Sequence, residues 1–219
     1  MPFHRSMLAA GFALALALPL AAQATPAGST VVPDGKWMVR LRALALRPAD
    51  RSDAIASLAV PADAITVSSK VFPELDITYF VTPHLAAELV LTYPQSHDVE
   101  VAGTRIGRFK QLPPTLLAQY HFLPTARIRP YVGAGINLTL ISDVQLAVPG
   151  VGALDLDDAS VGIAGQVGAD LRLAPRWFLN ADAKWVQLGS DVKLAASGTR
   201  VSSVGIDPFL LSVGLGYRF

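Results

Sequence analysis

The segment LPPTLLAQYHFLPTARIRPYVGAGINLT, which runs from Leu112 to Thr139, decides the fold. In it, two stretches that alternate apolar residues with polar or small ones flank a short turn at residues 123–127. Because successive side chains of a β-strand point to opposite faces, this pattern predicts a hairpin with one apolar face and one polar face. A soluble sheet buries its apolar face against a second layer, whereas a membrane barrel turns that face to lipid and its polar face to a lumen.

The composition of the whole chain favours the membrane interpretation. Of the 219 residues, 52% are hydrophobic and only 16% are charged, compared with about 25% charged residues in typical soluble domains. After the N-terminus there is no run of about 18 apolar residues, so the sequence predicts no spanning helix. High hydrophobicity that is spread as a two-residue alternation is typical of a transmembrane barrel. The net charge of +1 gives no indication of nucleic-acid binding, and the absence of cysteine excludes disulfides and thiolate metal sites.

The N-terminus has the features of a secretory signal peptide. Basic residues precede an apolar core from Met7 to Leu18, and a small-residue site ends at Ala24. The alternative is a membrane-anchor helix, which needs a longer apolar core. We therefore divide the chain into a signal peptide at residues 1–24, a periplasmic lead-in at 25–35 and a barrel at 36–219.

The alternation predicts eight strands whose connections are alternately long and short. The opening hairpin supplies the fourth and fifth of them. The others are expected at about residues 36–47, 66–80, 85–93, 160–173, 177–188 and 206–219. Short turns follow the second, fourth and sixth strands, as expected of the periplasmic turns of an outer-membrane barrel, whose outer loops are longer.

Aromatic residues also concentrate near both ends of these strands, as in the interfacial girdles of membrane barrels. The periplasmic group is Trp37, Tyr79, Phe80, Tyr120, Phe122, Trp177, Phe178, Tyr217 and Phe219, and the outer group is Tyr93, Phe109, Trp185 and Phe209. A soluble β-sandwich, the competing fold, would have connections of mixed length and no such bands. The predicted fold is therefore all-β, an eight-stranded antiparallel transmembrane β-barrel of the bacterial outer membrane.

Several motifs resemble the outer membrane protein W (OmpW) family of Gram-negative bacteria. They are LPPTLLAQY at residues 112–120, RPYVGAGIN at 129–137, GKWMVR at 35–40, AGQVGAD at 164–170 and GLGYRF at 214–219. The resemblance implies an eight-stranded barrel with a narrow, apolar lumen. It also implies passage of small hydrophobic molecules across the outer membrane, with sideways release into the bilayer. The long loops share little with the family pattern, so the resemblance indicates the substrate least securely.

Charged residues follow the lumen-facing phase of the predicted strands. They are Arg40, Arg42, Glu74, Asp76, Glu88, Asp170, Arg172, Asp182 and Lys184. Because unpaired charge is costly in a low-dielectric barrel, we expect salt bridges between neighbouring strands. The predicted pairs join Arg40 or Arg42 to Glu74 or Asp76, and Asp170 or Arg172 to Lys184 or Asp182. These side chains either fill the periplasmic half of the lumen or form a path for ions. We favour filling, because the interior of a small barrel is usually occupied by side chains.

The predicted outer connections are unusually apolar. They carry Leu58, Val60, Val144, Leu146, Val148, Leu154 and Leu194. Their alternation indicates that the strands extend beyond the bilayer as hairpins with apolar faces. Those faces need cover, either from a ligand at the mouth or from packing of the hairpins on each other, and the pattern does not decide between the two. If the strand phase continues, Leu117 and Leu210 also face the lumen and line the route of small hydrophobic molecules.

The pair Pro113-Pro114 interrupts the opening segment. Proline removes a ladder donor and is tolerated at strand edges and starts. The pair is therefore a candidate lateral seam for an apolar solute or, as its position favours, the mark of where a strand begins.

The sequence offers no catalytic or metal-binding constellation. His121 has no serine motif beside it, and His97, Asp98 and Glu100 form a cluster that is expected to be a solvated loop tip. We expect no catalytic residue, no metal and no cofactor.

Two functions remain after these steps. The first is a narrow outer-membrane channel or receptor for small hydrophobic molecules, and the second is a structural or adhesive barrel with a plugged lumen. Adhesive loops should be polar, so the Val- and Leu-rich connections favour the first. The expected partners are outer-membrane lipid, small hydrophobic solutes and the barrel-assembly machinery, which would bind the C-terminal strand that ends at Phe219. No nucleic-acid partner is expected.

Overall fold

A computed structural model describes residues 35–54, 61–148 and 152–219. The expected signal peptide, nearly all of the lead-in, and Leu58 and Val60 lie outside the described residues. The described residues contain no helix of the length and hydrophobicity needed to cross a bilayer. The strands are β1 Trp37–Arg47, β2 Arg51–Ser52, β3 Ile65–Val67, β4 Lys70–Phe80, β5 Leu85–Leu91, β6 Gln95–Val101, β7 Thr104–Leu112, β8 Thr115–His121, β9 Ile128–Val148, β10 Gly152–Leu156, β11 Ala159–Arg172, β12 Trp177–Val186, β13 Gly189–Leu194, β14 Arg200–Gly205 and β15 Phe209–Arg218.

Eight of these strands close into an antiparallel barrel. Their order around the ring is β1, β4, β5, β8, β9, β11, β12 and β15, and β15 pairs with β1 to complete it. This last ladder runs from Met38 opposite Arg218 to Arg47 opposite Phe209. Closure is what a sheet in lipid requires, because an open edge would leave backbone N–H and C=O groups without partners. The predicted eight-stranded barrel is thereby confirmed.

The barrel wall is apolar outside and polar inside, the reverse of a soluble protein. On β1, the side chain of Leu41 is 62% exposed, whereas Arg40 and Arg42 on either side of it are at most 1% exposed. On β15 the outward residues are Leu211, Val213 and Leu215. Two-residue alternation therefore produces the lipid-facing band directly, because each strand presents every second residue to the bilayer.

The opening hairpin has the predicted form in the structure. β8 ends at His121, the N–H of Ala126 donates to the carbonyl of Leu123 in the turn (3.2 Å), and β9 begins at Ile128. A side chain on Gly135 of β9 would lie 1.9 Å from the carbonyl oxygen of Leu116 on β8. Glycine at this position thus permits a close approach of the two strands that any larger residue would prevent.

Beyond the barrel, a second set of strands forms a structure that we call the rim. It comprises β2, β3, β6, β7, β10, β13, β14 and residues 141–148 of β9, which pair in the order β3, β6, β7, β9, β10, β13, β14, β2. β9 has 21 residues, about twice the 9–11 residues that a transmembrane strand needs. The segments expected as long outer connections therefore contain hairpins that continue the wall of the barrel.

The predicted aromatic girdles need one correction. Trp37, Tyr120 and Trp177 near the periplasmic end, and Tyr93, Trp185 and Phe209 near the outer end, are exposed on the outside as expected. Phe80, Phe109 and Phe178 instead point inward, with exposed fractions of 4%, 2% and 0%. Phe80 shares the inward phase of Asp76 and Thr78 on β4, so strand phase decides its direction rather than its position near a strand end.

Replacing Val213 by arginine tests the lipid-facing assignment. Val213 lies halfway along β15 and is 53% exposed, so Val213→Arg should destabilise the folded barrel by about 2–4 kcal/mol, the cost of a cationic side chain at the bilayer midplane. The measurement is urea unfolding of the protein in phospholipid vesicles. Ala147→Arg, on the exposed side of the rim, is the control and should leave stability nearly unchanged. Equal stability of Val213→Arg and wild type would contradict the assignment.

Candidate channel through the barrel

The periplasmic half of the lumen is filled by a network of charged side chains. Arg40 contacts Glu88 (Nη1 to Oε2, 2.8 Å) and Asp170 (Nη2 to Oδ2, 2.8 Å). Its Nη1 also donates to Thr78 Oγ1 (2.6 Å). All four side chains are buried. Arg40 therefore links β1 to β4, β5 and β11 across the inside of the ring.

Arg42 is the second centre of this network. Its guanidinium pairs with Asp76, with Glu74 at 3.1 Å and with Glu88 at 3.3 Å. It also lies 3.5 Å from Asp182. Glu74 and Asp76 lie on β4, the ladder neighbour of β1, so the predicted pairing of these strands is the observed one.

Lys184 completes the network, and here one predicted pairing is wrong. Lys184 Nζ lies 2.8 Å from Glu74 and 2.9 Å from Asp182, whereas Asp170, its predicted partner, binds Arg40. The reason is the length of the arginine side chain, because Arg40 on β1 extends across the lumen to Asp170 on β11. The guanidinium of Arg172 lies over the ring of Phe178, 5.6 Å from its centroid.

Neutral polar groups bond some of the carboxylate oxygens of this network. Tyr131 Oη donates to Asp182 Oδ2 (2.9 Å) and accepts from Asn180 Nδ2 (3.0 Å). Gln166 Nε2 donates to Glu88 Oε1 (2.8 Å). Tyr131 and Asn180 were not singled out from the sequence, although both lie on the lumen-facing phase of their strands.

Below the ions, the periplasmic end is filled by an apolar and aromatic layer. Met38, Phe80, Ala86 and Phe178 form one buried cluster, and the guanidinium of Arg218 lies 3.6 Å from the centroid of the Phe80 ring. Together, the ionic and aromatic layers support structural filling of this half rather than an ion path.

Above the ions, the lumen opens into a cavity that we call the lower cavity. It has a volume of about 30 Å³ and is bounded below by Glu74 and Lys184. Its apolar lining includes Leu44, Phe72 and the predicted Leu210. The other predicted lumen residue, Leu117, is 1% exposed and packs in the same interior with Val90 and Val186.

The rim encloses a larger space, the upper cavity, of about 60 Å³. Among the described residues that line it, Ser190 is the only polar one. The others are Ile65, Val67, Val99, Val101, Ile106, Phe109, Ile141, Leu146, Val148, Leu154, Leu156, Val192, Val201, Val204 and Ile206. Of the predicted mouth residues, Leu146, Val148 and Leu154 line this cavity. Val144 and Leu194 pack against its walls.

The outer surface of the rim is polar where its inner surface is apolar. Lys193 Nζ lies 2.5 Å from Asp157 Oδ1, and this hydrogen bond lowers the pKa of Asp157 and raises the pKa of Lys193. Lys110 Nζ lies 2.7 Å from Asp143 on a second exposed pair. The rim therefore has a polar outer surface and an apolar inner surface, and its hairpins leave open space between their apolar faces.

The wall is interrupted between the barrel and the rim. The β5–β8 ladder ends at Val90 opposite Thr115, and the β6–β7 ladder begins at Gln95 opposite Gln111. Among the described residues, no backbone hydrogen bond joins residues 91–94 to residues 112–114. We call this interruption the seam.

The two prolines form one edge of the seam but do not separate from β9. The N–H of Leu138 donates to the carbonyl of Pro114 (3.0 Å), and Asn137 Nδ2 donates to the carbonyl of Pro113 (3.3 Å). β8 begins directly after them, at Thr115. The prolines thus mark a strand start and also border a gap, and the gap lies on the side that faces residues 91–94.

The expectation that His97 lies in a solvated loop tip was wrong. It lies on β6 with its side chain inside the rim and 0% exposed, and its Nδ1 lies 3.1 Å from the carbonyl oxygen of Ser68. Burial lowers the pKa of His97. The sequence signal was the alternation of Gln95, His97 and Val99, which places all three on one face of a strand.

A closed eight-stranded barrel with an apolar outer band and a filled lower lumen defines a small outer-membrane β-barrel protein. The model of the OmpW family matches residues 33–219, and the chain belongs to that family, whose place is the outer membrane of Gram-negative bacteria. The resemblance in the motifs is thereby confirmed.

Three comparisons show how near the relatives are. An uncharacterized outer-membrane protein, y4mB of Sinorhizobium fredii, is 38% identical over 84% of this chain and 80% of its own length. Outer membrane protein W of Vibrio cholerae is 31% identical over 85% of this chain and 89% of its own length. The crystal structure of OprG from Pseudomonas aeruginosa superposes with a TM-score of 0.72 at 29% identity and covers 85% of this chain and 96% of its own.

Removing Arg42 tests the ionic layer. Arg42→Met should destabilise the barrel by about 3–5 kcal/mol, because it leaves several buried carboxylates without their cation. The measurement is the urea midpoint in vesicles. Arg200→Met is the control, since Arg200 pairs with Asp191 on the exposed rim (3.1 Å) and an exposed pair contributes little. A midpoint for Arg42→Met that equals the control would show that the network does not hold the barrel together.

Proposed function

We propose that the protein is a channel that admits small hydrophobic molecules from outside through the rim and releases them sideways at the seam into the outer membrane. The observation that carries this proposal is the upper cavity, whose lining is apolar at every described position except Ser190. Ligand sites of small molecules are likewise lined mostly by apolar side chains. The function is the one that the family resemblance implies.

The sideways route follows from what lies below the two cavities. A hydrophobic molecule that continued toward the periplasm would have to displace ions that are paired with each other, and it could not replace their interactions. Arg42 and its carboxylates are buried at that level. The path of lower cost therefore leaves through the wall above the ions.

The seam supplies such a place in the wall. Neither Pro113 nor Pro114 can donate a backbone hydrogen bond, and Pro94 on the facing segment cannot either. Opening the wall here therefore breaks few hydrogen bonds. Tyr93 in this segment is 53% exposed on the outside and lies at the level of the outer aromatic girdle, so a molecule that leaves here enters the outer leaflet.

A structural or adhesive role is the competing function. It would use the polar outer surface of the rim and would leave the apolar upper cavity without a purpose. Assembly of the barrel is a separate matter. We propose that the assembly machinery binds the C-terminal strand, whose last residue Phe219 exchanges two backbone hydrogen bonds with Trp37 (2.9 and 3.1 Å).

A charge in the upper cavity tests the channel. Leu154→Asp should reduce transfer of an apolar fluorescent tracer into vesicles that contain the protein by about tenfold, because an uncompensated carboxylate in an apolar cavity is costly to approach and to dehydrate. Ala153→Asp, on the exposed face of the same strand, is the matched control and should transfer the tracer at the wild-type rate. Wild-type transfer equal to that of empty vesicles would overturn the proposed function.

Restoring backbone donors tests the seam. Pro113→Val with Pro114→Val adds one N–H group, at position 113, that faces residues 91–94 and another, at position 114, that faces β9. Release of the tracer into the lipid phase should therefore slow by about threefold to tenfold, since one hydrogen bond across the seam contributes about 1 kcal/mol. The readout is tracer fluorescence in the bilayer after a rapid mix. Pro130→Val adds a donor elsewhere in the wall and should have no effect. Unchanged release in the double variant would place the exit elsewhere.

A further inference from the structure

Three buried polar atoms beside the seam have no hydrogen-bond partner. They are Thr92 Oγ1, Gln95 Oε1 and Gln111 Oε1. The side chain of Gln95 is 0% exposed and that of Gln111 is 2% exposed. Buried polar atoms are nearly always bonded in folded proteins, so three orphans at one place need an explanation.

Two of these residues line the lower cavity, and the third is the ladder partner of one of them. Gln95 is directly opposite Gln111 in the β6–β7 ladder, and both side chains are inside the rim. Thr92 and Gln111 line the lower cavity, while Phe109, two residues before Gln111, lines the upper one. Thr92 also belongs to the segment that borders the seam. On the proposed route, a molecule that moves from the lower cavity to the seam passes Thr92 and Gln111.

His97 determines which end of the Gln111 amide faces the lumen. The carbonyl of Ser68 can only accept, so His97 Nδ1 carries the hydrogen and donates to it (3.1 Å). In the neutral ring, Nε2 is then an acceptor, and the amide nitrogen of Gln111 donates to it (3.2 Å). The lowered pKa of the buried imidazole keeps the ring neutral. Gln111 is left with its oxygen as the free end.

Gln95 is oriented in the same sense by a different contact. Its amide nitrogen donates to the carbonyl of Tyr93 (3.0 Å), which again leaves the amide oxygen free. Both glutamines therefore use an amide N–H within the protein and keep an unpaired acceptor oxygen. The unpaired amide oxygens favour a ligand that can donate a hydrogen bond over one that can only accept.

We propose that Thr92, Gln95 and Gln111 form a subsite that selects hydrophobic cargo carrying one hydroxyl group, such as an alcohol or a phenol. This inference rests on the proposed channel function and specifies its substrate class. A hydroxyl donates to an acceptor that a hydrocarbon would leave unpaired, and sites built to bond a polar group discriminate strongly against analogues that lack it. An ether of the same size can accept from the Thr92 hydroxyl, as the alcohol can, but it has no O–H to donate to an amide oxygen, so the alcohol makes one hydrogen bond more.

Water can bond the same oxygens, and this strengthens the preference. A ligand that displaces an ordered water without reproducing its hydrogen bonds loses affinity, whereas a hydroxyl replaces one of them. Alkane and ether therefore dehydrate these acceptors at a cost that the alcohol offsets at one of them.

The test compares three ligands of equal heavy-atom count, namely octanol, heptyl methyl ether and nonane. Each competes with an apolar fluorescent probe for the protein in lipid nanodiscs. Wild type should bind octanol about fivefold to tenfold more tightly than the ether, the ratio that one ordinary hydrogen bond supplies. Gln95→Met with Gln111→Met keeps side-chain length but removes both acceptors, and its ratio should fall below about twofold.

Controls separate this inference from the channel itself. Gln145→Met, on the exposed surface of β9, should retain the wild-type ratio and corrects for partition of the ligands into lipid. Folding is checked by electrophoretic mobility before and after heating, and Gln111→Met alone replaces the double variant if the latter does not fold. Equal ratios in wild type and variant, with nonane still bound, would overturn the subsite only. Failure of wild type to bind any of the three would overturn the proposed function.

Discussion

The structure depends on one constraint, that no backbone N–H or C=O may remain unpaired in hydrocarbon. Pairing of β15 with β1 meets it by closing the ring. Closure gives the sheet an inner face and an outer face. Two-residue alternation then directs successive side chains of a strand to these two faces in turn. The relaxed pairing at residues 91–94 and 112–114 occurs at the outer edge of the barrel. There, three prolines remove donors from both segments, so opening the wall costs least.

The interior that closure creates is organised in layers along the axis. Aromatic side chains fill the periplasmic end, paired ions fill the level above, and two cavities of rising apolar character follow toward the outside. The buried ion pairs of this layer have two consequences. Arg40 and Arg42 join β1 to four other strands through buried pairs, and the same pairs present a barrier that an apolar molecule cannot cross without separating charges. This barrier is the physical basis of the proposed sideways route.

Prediction from the sequence succeeded where the answer depends on strand phase. The inward direction of Arg40, Arg42, Leu117 and Leu210 follows from counting residues along one strand. Prediction failed where the answer depends on which strands face each other across the lumen. Asp170 binds Arg40, which is 130 residues away in the chain, and nothing in the local pattern of either residue indicates it. Phe80, Phe178 and His97 were misplaced because position near a strand end or in a presumed loop was given more weight than phase.

The sequence by itself determined the class of fold, the two faces of each strand and the family, because alternation and motif content are local properties of the chain. Only the tertiary structure decided how the ions pair, that apolar hairpins of the rim enclose open space, and that Thr92, Gln95 and Gln111 meet beside the seam. These features depend on register and on the curvature of the closed sheet. A shift of one residue in any ladder would bring different side chains together without altering the composition of a single strand.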